Sequence, residues 1–285
     1  MYVGRFAPSP SGPLHIGSLV TALGSYLRAK SRDGEYIIRI EDIDTVRTSK
    51  DYTSIILDEL RSLGIVSDRE VLVQSQNLEY YTQMLDRLVK SGLTYNCRCT
   101  RSSLKTTPCS CRGLDLPDSA ECNVCFRAEK LIELSFDDLL QGRCTVPDTF
   151  GRVVLRRKDG MFAYNLVVVC DDIAQGITEI VRGADLLEQS VVHIALFRAF
   201  GAQVPEFMHL PLALNENGDK YSKQNHARAA VKELGPVAAI RLALGFLGQD
   251  CSHIRDGEAV CDILKEATAR FNPGAIDPTA RQVLY

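Results

Sequence analysis

Long apolar runs are missing from this sequence. The longest, such as Leu166–Cys170, fall far short of the ~20 residues that a membrane-crossing helix needs, so no membrane span is expected. The first ten residues, MYVGRFAPSP, lack a basic segment followed by an apolar one, so no secretory leader is expected and a cytoplasmic location is. A dominant charge is lacking too. The chain carries 33 Lys and Arg against 36 Asp and Glu, a formal net charge of −3, without the global basic field that draws nucleic acid. A local basic face can still hide within so balanced a total. Neither an internal repeat nor a low-complexity tail is found, which sets aside repeat arrays and disordered tails.

Cysteine is the exception. Ten are present, six of them between Cys97 and Cys125. In a reducing compartment these stay reduced, and so tight a cluster favours a metal over disulfides. The rest of the composition is ordinary: 45% hydrophobic and 24% charged residues over 285 positions suit a globular protein of one large domain or two modest ones, with a sizeable core.

Residues 2–7 (YVGRFA) read as a short strand and PSPSGP at 8–13 as a loop. Leu14 to about Lys30 reads as an amphipathic helix, with Ile16, Leu19, Val20, Leu23, Tyr26 and Leu27 at helical spacing. Asp33-Gly34 turns the chain into EYIIRIED, a β-rich run of buried type, and residues 50–64 and 77–91 are again helical in spacing. This alternation predicts an α/β fold, a Rossmann-like parallel sheet with crossover helices. It breaks over 95–150, a stretch rich in Cys, Pro, Ser and Asp that reads as an inserted module between a first half at 1–94 and a second at 151–228. RVVLRR (152–157) and, past a glycine turn, FAYNLVVVCDD (162–172) resume the alternation. A helix near 187–200 leads to a strand and loop, MHLPLALNENGDKYSKQN. Residues 229–285 read as a short helical C-terminal region, with Val237–Leu247 and Glu258–Phe271 at helical spacing.

Two stretches carry chemistry. In PSPSGPLHIGS (8–18) a strand runs through a loop into a helix start, whose unpaired N–H groups and positive dipole end suit a phosphate. His15 can donate to phosphate oxygens, and Gly17 lets a bulky group approach the backbone. In NGDKYSKQN (217–225) a turn precedes two lysines three apart, placed to neutralise charge that develops on a phosphate during displacement. Singly, the first is an ordinary strand–helix connection and the second an ordinary solvated loop. Their pairing and order are what count.

Together they resemble the HIGH and KMSKS signatures of class I aminoacyl-tRNA synthetases. The flanking stretches RFAPSPSGPLHIGS, RIEDIDTVR, FAYNLVVVCDD, TEIVRGADLL and HLPLALNENGDKYSKQN look like the glutamyl-tRNA synthetase group, over residues 3–226 and in the expected order. Within that group about 60 residues after Lys223, S-K-Q-N-H in place of S-K-R, and the Cys-x-Cys module resemble the glutamyl-queuosine tRNA(Asp) synthetases, truncated paralogues without a full anticodon-binding domain. The resemblance implies tRNA-independent activation of L-glutamate by ATP with Mg²⁺, then transfer of glutamate to queuosine at the wobble position of tRNA(Asp), by a chain acting as a monomer. Two alternatives stay open: a short glutamyl-tRNA synthetase charging the tRNA 3′ end, and a non-catalytic regulatory paralogue.

The resemblance also implies roles. His15, Gly17, Lys220 and Lys223 would be catalytic, with His15, Gly17, Ser18 and Lys223 binding ATP. Arg5, Tyr164 and Arg182 would hold the side-chain carboxylate of glutamate, a task that suits the planar fork of arginine. Glu41 would take the α-amino group, and Phe6, Ala7, Pro8 and Ser9 would complete the pocket.

For the cysteines, four thiolates make a closed zinc site of structural type, and six candidates compete for four positions. The family pattern is Cys-x-Cys followed by Tyr-x3-Cys and Arg. Here Cys111-Arg112 matches its end and Thr107 stands where the tyrosine would be, so Cys109 is expected to fill the vacancy. The expected Zn²⁺ ligands are therefore Cys97, Cys99, Cys109 and Cys111. A set that exchanges one pair for Cys122 and Cys125, and a site without metal, stay open. Cys144, Cys170, Cys251 and Cys261 read as small core or surface residues.

Overall fold

A computed structural model describes residues 1–283 apart from 101, 108, 115, 118, 120, 149, 219, 220, 222–228, 253 and 256. Strand β1 (Val3–Phe6) is buried along its whole length. Through the proline-rich loop it enters α1 (Ile16–Lys30), which buries Ile16, Leu19, Val20, Leu23 and Leu27 and places Arg28 and Lys30 against the negative end of its dipole. Asp33, at φ 50°, turns the chain into β2 (Glu35–Ile40), parallel to β1 with Arg5 opposite Ile37.

Helix α2 (Lys50–Ser62), capped by the Ser49 hydroxyl, returns the chain to β3 (Leu72–Val73), parallel to β2. Helix α3 (Leu78–Lys90) follows, with Tyr81, Met84, Leu85 and Leu88 on one buried stripe, and leads into β4 (Thr94–Cys97).

The insertion then builds sheets of its own. β4 pairs antiparallel with β5 (Asn123–Phe126), and β6 (Ser135–Asp138) forms a hairpin with β7 (Gly142–Thr145). Strand β8 (Val153–Arg156), expected to belong with the second half, pairs with β5, so the sheet of the insertion runs on to Arg156.

FAYNLVVVCDD supplies the next helix. It forms α4 (Tyr164–Gln175), closed by Gly176 in the left-handed region at φ 67°. Val167, Val168 and Val169 each cost about 0.5 kcal/mol in helix propensity. Each is also fully buried, worth about 1.5–3 kcal/mol, and burial wins. β9 (Glu179–Gly183), α5 (Ser190–Ala199) and β10 (Glu206–Leu210) then make a second parallel pair. Thr178 bonds Val3 through both its N–H (2.9 Å) and its hydroxyl (3.0 Å), which sets β9 beside β1 and gives the order β3–β2–β1–β9–β10.

Side chains on these strands alternate between two cores. Phe6, Tyr36, Ile38, Val181, Met208 and Leu210 meet α1 and α2, while Val3, Ile37, Ile180 and Phe207 meet α3, α4 and α5. This is the two-sided covering expected of a parallel sheet. Beyond β11 (Ala213–Leu214), the C-terminal helices α6 (Ala230–Leu234), α7 (Pro236–Phe246) and α8 (Val260–Arg270) join the α1 core through Ala239, Ile240, Ala243, Leu244, Ile263 and Leu264. β12 (Arg281–Gln282) closes against β11. The C-terminal region is thus packed onto the first core along the α1 face. Among the described residues no helix is long and apolar enough to cross a membrane.

Candidate active site

The carboxyl ends of β1, β2, β9 and β10 open into a cavity of about 500 Å³, where ligands enter open parallel sheets. Arg5, Phe6, Ala7, Pro8, Ser9, His15, Gly17, Ser18, Glu41, Tyr164 and Arg182 all line it. Thr21, Asp185, Leu186, Leu212 and Tyr221 line it as well; all but Thr21 fall within the stretches that carried the resemblance, though none was assigned a role. Lys220 and Lys223 lie outside the described residues. Tyr221 between them reaches the cavity and donates its hydroxyl to the Val283 carbonyl at 2.8 Å.

The floor of the cavity is a buried charge network. Arg39, with no exposed surface, donates to Asp172 at 2.8 Å and to Gln175 at 2.8 Å, and lies 3.3 Å from Glu41 and 3.6 Å from Asp171. Arg5 donates to the same Asp172 oxygen at 3.2 Å. Asp171 accepts from the Tyr81 hydroxyl and from Gln74, each at 2.8 Å. Burial disfavours the charge of Asp172, but Arg5 and Arg39 together hold it below the usual carboxylate range. Burial pushes Glu41 up to about 7 against the pull of Arg39 and Arg5. Motif reasoning missed Arg39, although an arginine inside the apolar run IIRI was a visible signal. Such a residue must be paired to be buried at all.

Arg182 is held differently. Its Nε donates to His209 Nε2 at 3.1 Å, Nη1 to His193 Nδ1 at 3.1 Å, and Nη2 to Ser190 Oγ at 2.8 Å and the Leu186 carbonyl at 3.1 Å. None of these partners is a carboxylate. Burial lowers the Arg182 pKa, and burial followed by the Arg182 charge drives His193 well below its ordinary value.

His15 is the N-cap of α1, its Nδ1 accepting from the Ser18 N–H at 3.3 Å. A Cβ on Gly17 would stand 3.2 Å from the His15 ring, so glycine at 17 keeps that ring in place and the helix start open.

In the first part of the insertion, Cys97, Cys99, Cys109 and Cys111 converge, their sulfurs all within 4.8 Å of one another. Neighbouring sulfurs are 3.6 Å (97–109), 3.8 Å (99–109) and 3.6 Å (99–111) apart. A tetrahedron with metal–sulfur bonds of about 2.3 Å has edges of about 3.8 Å, so the four thiols fit a metal of zinc type. Arg152 donates to Cys97 Sγ at 3.4 Å from outside the cluster. Cys122 and Cys125 lie outside it, Cys122 accepting from the Ser119 hydroxyl and Cys125 directed at the Asn123 carbonyl.

The model of the catalytic domain of class I tRNA synthetases (E and Q) matches residues 2–115 and 114–244. A glutamyl-Q tRNA(Asp) synthetase of Shewanella amazonensis is 44% identical over 99% of this chain and 97% of its own. One from Klebsiella pneumoniae is 45% identical over 97% of this chain and 95% of its own. The chain belongs to the glutamyl-Q tRNA(Asp) synthetase family of class I tRNA synthetases. The family also has likenesses among solved structures. A glutamate tRNA ligase from Elizabethkingia meningosepticum, solved with its amino acid, superposes with a TM-score of 0.80 at 25% identity. That alignment covers 99% of this chain and 66% of the ligase, so this glutamyl-Q tRNA(Asp) synthetase family member spans just under two thirds of the ligase. The glutamate-tRNA synthetase of Elizabethkingia anophelis gives 0.81 at 25% identity, covering 99% of this chain and 68% of its own.

Proposed function

We propose that the chain activates L-glutamate with ATP, without tRNA in that step, and then transfers the glutamyl group to queuosine at the wobble position of tRNA(Asp). The reading is supported by one cavity that holds both a guanidinium with neutral partners, Arg182, and a buried carboxylate, Glu41, in a chain 44% identical to a glutamyl-Q tRNA(Asp) synthetase over 99% of its length. A substrate with an ammonium group and two carboxylates matches that charge pattern.

In the first step the α-carboxylate oxygen attacks the α-phosphorus of ATP, and the bond to the β-phosphate breaks, releasing pyrophosphate. The protein supplies position and charge. Arg182, Arg5 and the Tyr164 hydroxyl hold the side-chain carboxylate, Glu41 takes the ammonium group, and Phe6, Ala7, Pro8 and Ser9 complete the walls. His15, Gly17 and Ser18 at the start of α1 hold the phosphates, and Lys220 and Lys223 balance the charge gathering at phosphorus. Mg²⁺ accompanies ATP as counter-ion of its phosphates. In the second step a queuosine hydroxyl attacks the activated carbonyl and AMP leaves.

Cys97, Cys99, Cys109 and Cys111 would hold one Zn²⁺ that staples the insertion and takes no part in either step. The chain is taken to act as a monomer, and with tRNA(Asp) as substrate it belongs in the cytoplasm.

The test is transfer of labelled glutamate to tRNA(Asp) with and without queuosine. Label is expected on the queuosine-containing tRNA alone, in a bond that survives removal of the terminal adenosine. Equal labelling of both tRNAs overturns the reading.

A further inference from the structure

We propose that Asp138, His209 and His193 are positioning residues which aim the Arg182 guanidinium with neutral acceptors, leaving its full charge to select glutamate over glutamine. The proposal rests on the reading of Arg182 as receptor of the substrate side-chain carboxylate.

Arg5 in the cavity and Arg39 beneath it show how a buried guanidinium is ordinarily balanced. Arg5 and Arg39 each pair with Asp172. Among the described residues no ion pair includes Arg182, although its side chain is only 4% exposed. Its orientation comes instead from two imidazoles and a hydroxyl, which accept hydrogen bonds without cancelling the charge.

Each imidazole is locked from behind. Asp138 Oδ2 lies 2.6 Å from His209 Nδ1 and accepts the hydrogen bond of its N–H, which leaves the Nε2 lone pair facing Arg182. Asp138 is itself immobilised: it accepts the backbone N–H groups of Leu140 (3.0 Å), Gln141 (2.9 Å) and His209 (3.2 Å). His193 donates Nε2–H to Asn165 Oδ1 at 3.0 Å, which leaves Nδ1 to accept from Arg182. Burial disfavours the imidazolium at both rings, and the Arg182 charge adds to this.

Asp138 ends β6, in the hairpin of the insertion. That hairpin is fastened to β10 by the Leu139 N–H on the Phe207 carbonyl at 2.8 Å and by the Gln141 side chain on the His209 carbonyl at 2.9 Å. None of Asp138, His193 and His209 lines the cavity, so their effect on substrate passes through Arg182.

The experiment compares two double variants in ATP–pyrophosphate exchange, D138N/H209Q and D138N/H209E. Asn at 138 removes the clash that a second carboxylate would create. Gln and Glu both place an oxygen near the present Nε2, and they differ in charge alone. The Glu variant is expected to raise KM for glutamate about a hundredfold over the Gln variant, by cancelling the charge that the substrate carboxylate needs. KM for ATP should match between the two, and the preference for glutamate over glutamine should shrink in the Glu variant. A purely structural role would move both variants alike. The same comparison at His193, H193N against H193D, reads the charge at Nδ1 and serves if the first pair fails to fold. Equal KM for glutamate within the pair overturns the proposal while Arg182→Ala still abolishes exchange. Wild-type exchange in Arg182→Ala would instead remove the reading on which it stands.

Discussion

In the cavity, charges from β1, β2 and α4 neutralise one another: Arg5 and Arg39 share Asp172, and Arg39 also faces Glu41 and Asp171. At the knuckle, four thiols from residues 97–111 face one another with a small apolar cluster of Tyr95, Cys97, Cys111 and Cys125 beneath them. The first arrangement is long-range in sequence and is held by carboxylates of the chain itself. The second is local, on a small buried cluster, and its four thiols are placed to hold a metal. The proposed zinc would therefore matter to the cysteine cluster and leave the cavity unaffected.

Four perturbations sharpen this contrast. Arg182→Ala should lower glutamate-dependent ATP–pyrophosphate exchange by about a thousandfold or more in kcat/KM, the scale of losing a buried charge partner. ATP binding and zinc content should not change; exchange at the wild-type rate would remove Arg182 from the glutamate site. Asp172→Ala strands Arg5 and Arg39 without their shared carboxylate, and denaturant unfolding should show a loss of about 3–5 kcal/mol. A loss below about 1 kcal/mol would mean that the network carries little of the fold.

Cys109→Ser, or zinc removal by a chelator, should loosen the insertion while sparing the sheet. Hydrogen exchange should rise in β4, β5 and residues 97–111 and stay unchanged in β1 and β2. Uniform loosening would erase the distinction between a self-sufficient cavity and a metal-dependent knuckle.

Glu41 gives the smallest effect and the clearest sign. Burial raises its pKa from 4.5 to about 7, so the fold favours the protonated form. Its contribution to stability is present below the unfolded value of 4.5 and is lost as pH rises through about 7. Binding of an ammonium group needs the ionised form, so KM for glutamate should fall as pH rises through about 7. In Glu41→Gln that step should vanish, and stability at high pH should increase. A persistent step in the Gln variant would place the titrating group elsewhere.

Much was legible along the chain because its signals are local. The alternation of apolar residues at period two and at helical spacing located β1, α1, β2, α2 and α3, and the loop 8–13 was read as leading into a helix start, where α1 begins at Ile16. Where burial overrides propensity the local pattern is silent, as with the valines of α4, whose middle turns are buried. Pairing between distant strands was equally invisible, and β8 went to the insertion for that reason.

The sequence by itself determined the kind of chemistry, because motif residues such as Arg5, His15, Glu41 and Arg182 announce themselves by type and neighbours. It also narrowed the candidate metal ligands to six cysteines and favoured Cys97, Cys99, Cys109 and Cys111 among them. Only the tertiary structure decided which four sulfurs converge, and only it brought Asp138 to His209 across 71 positions and thence to Arg182. The reason is physical. A hydrogen bond of 2.6 Å is made by whatever the packing of a hairpin on a strand brings within reach, and that distance has no local code in the chain.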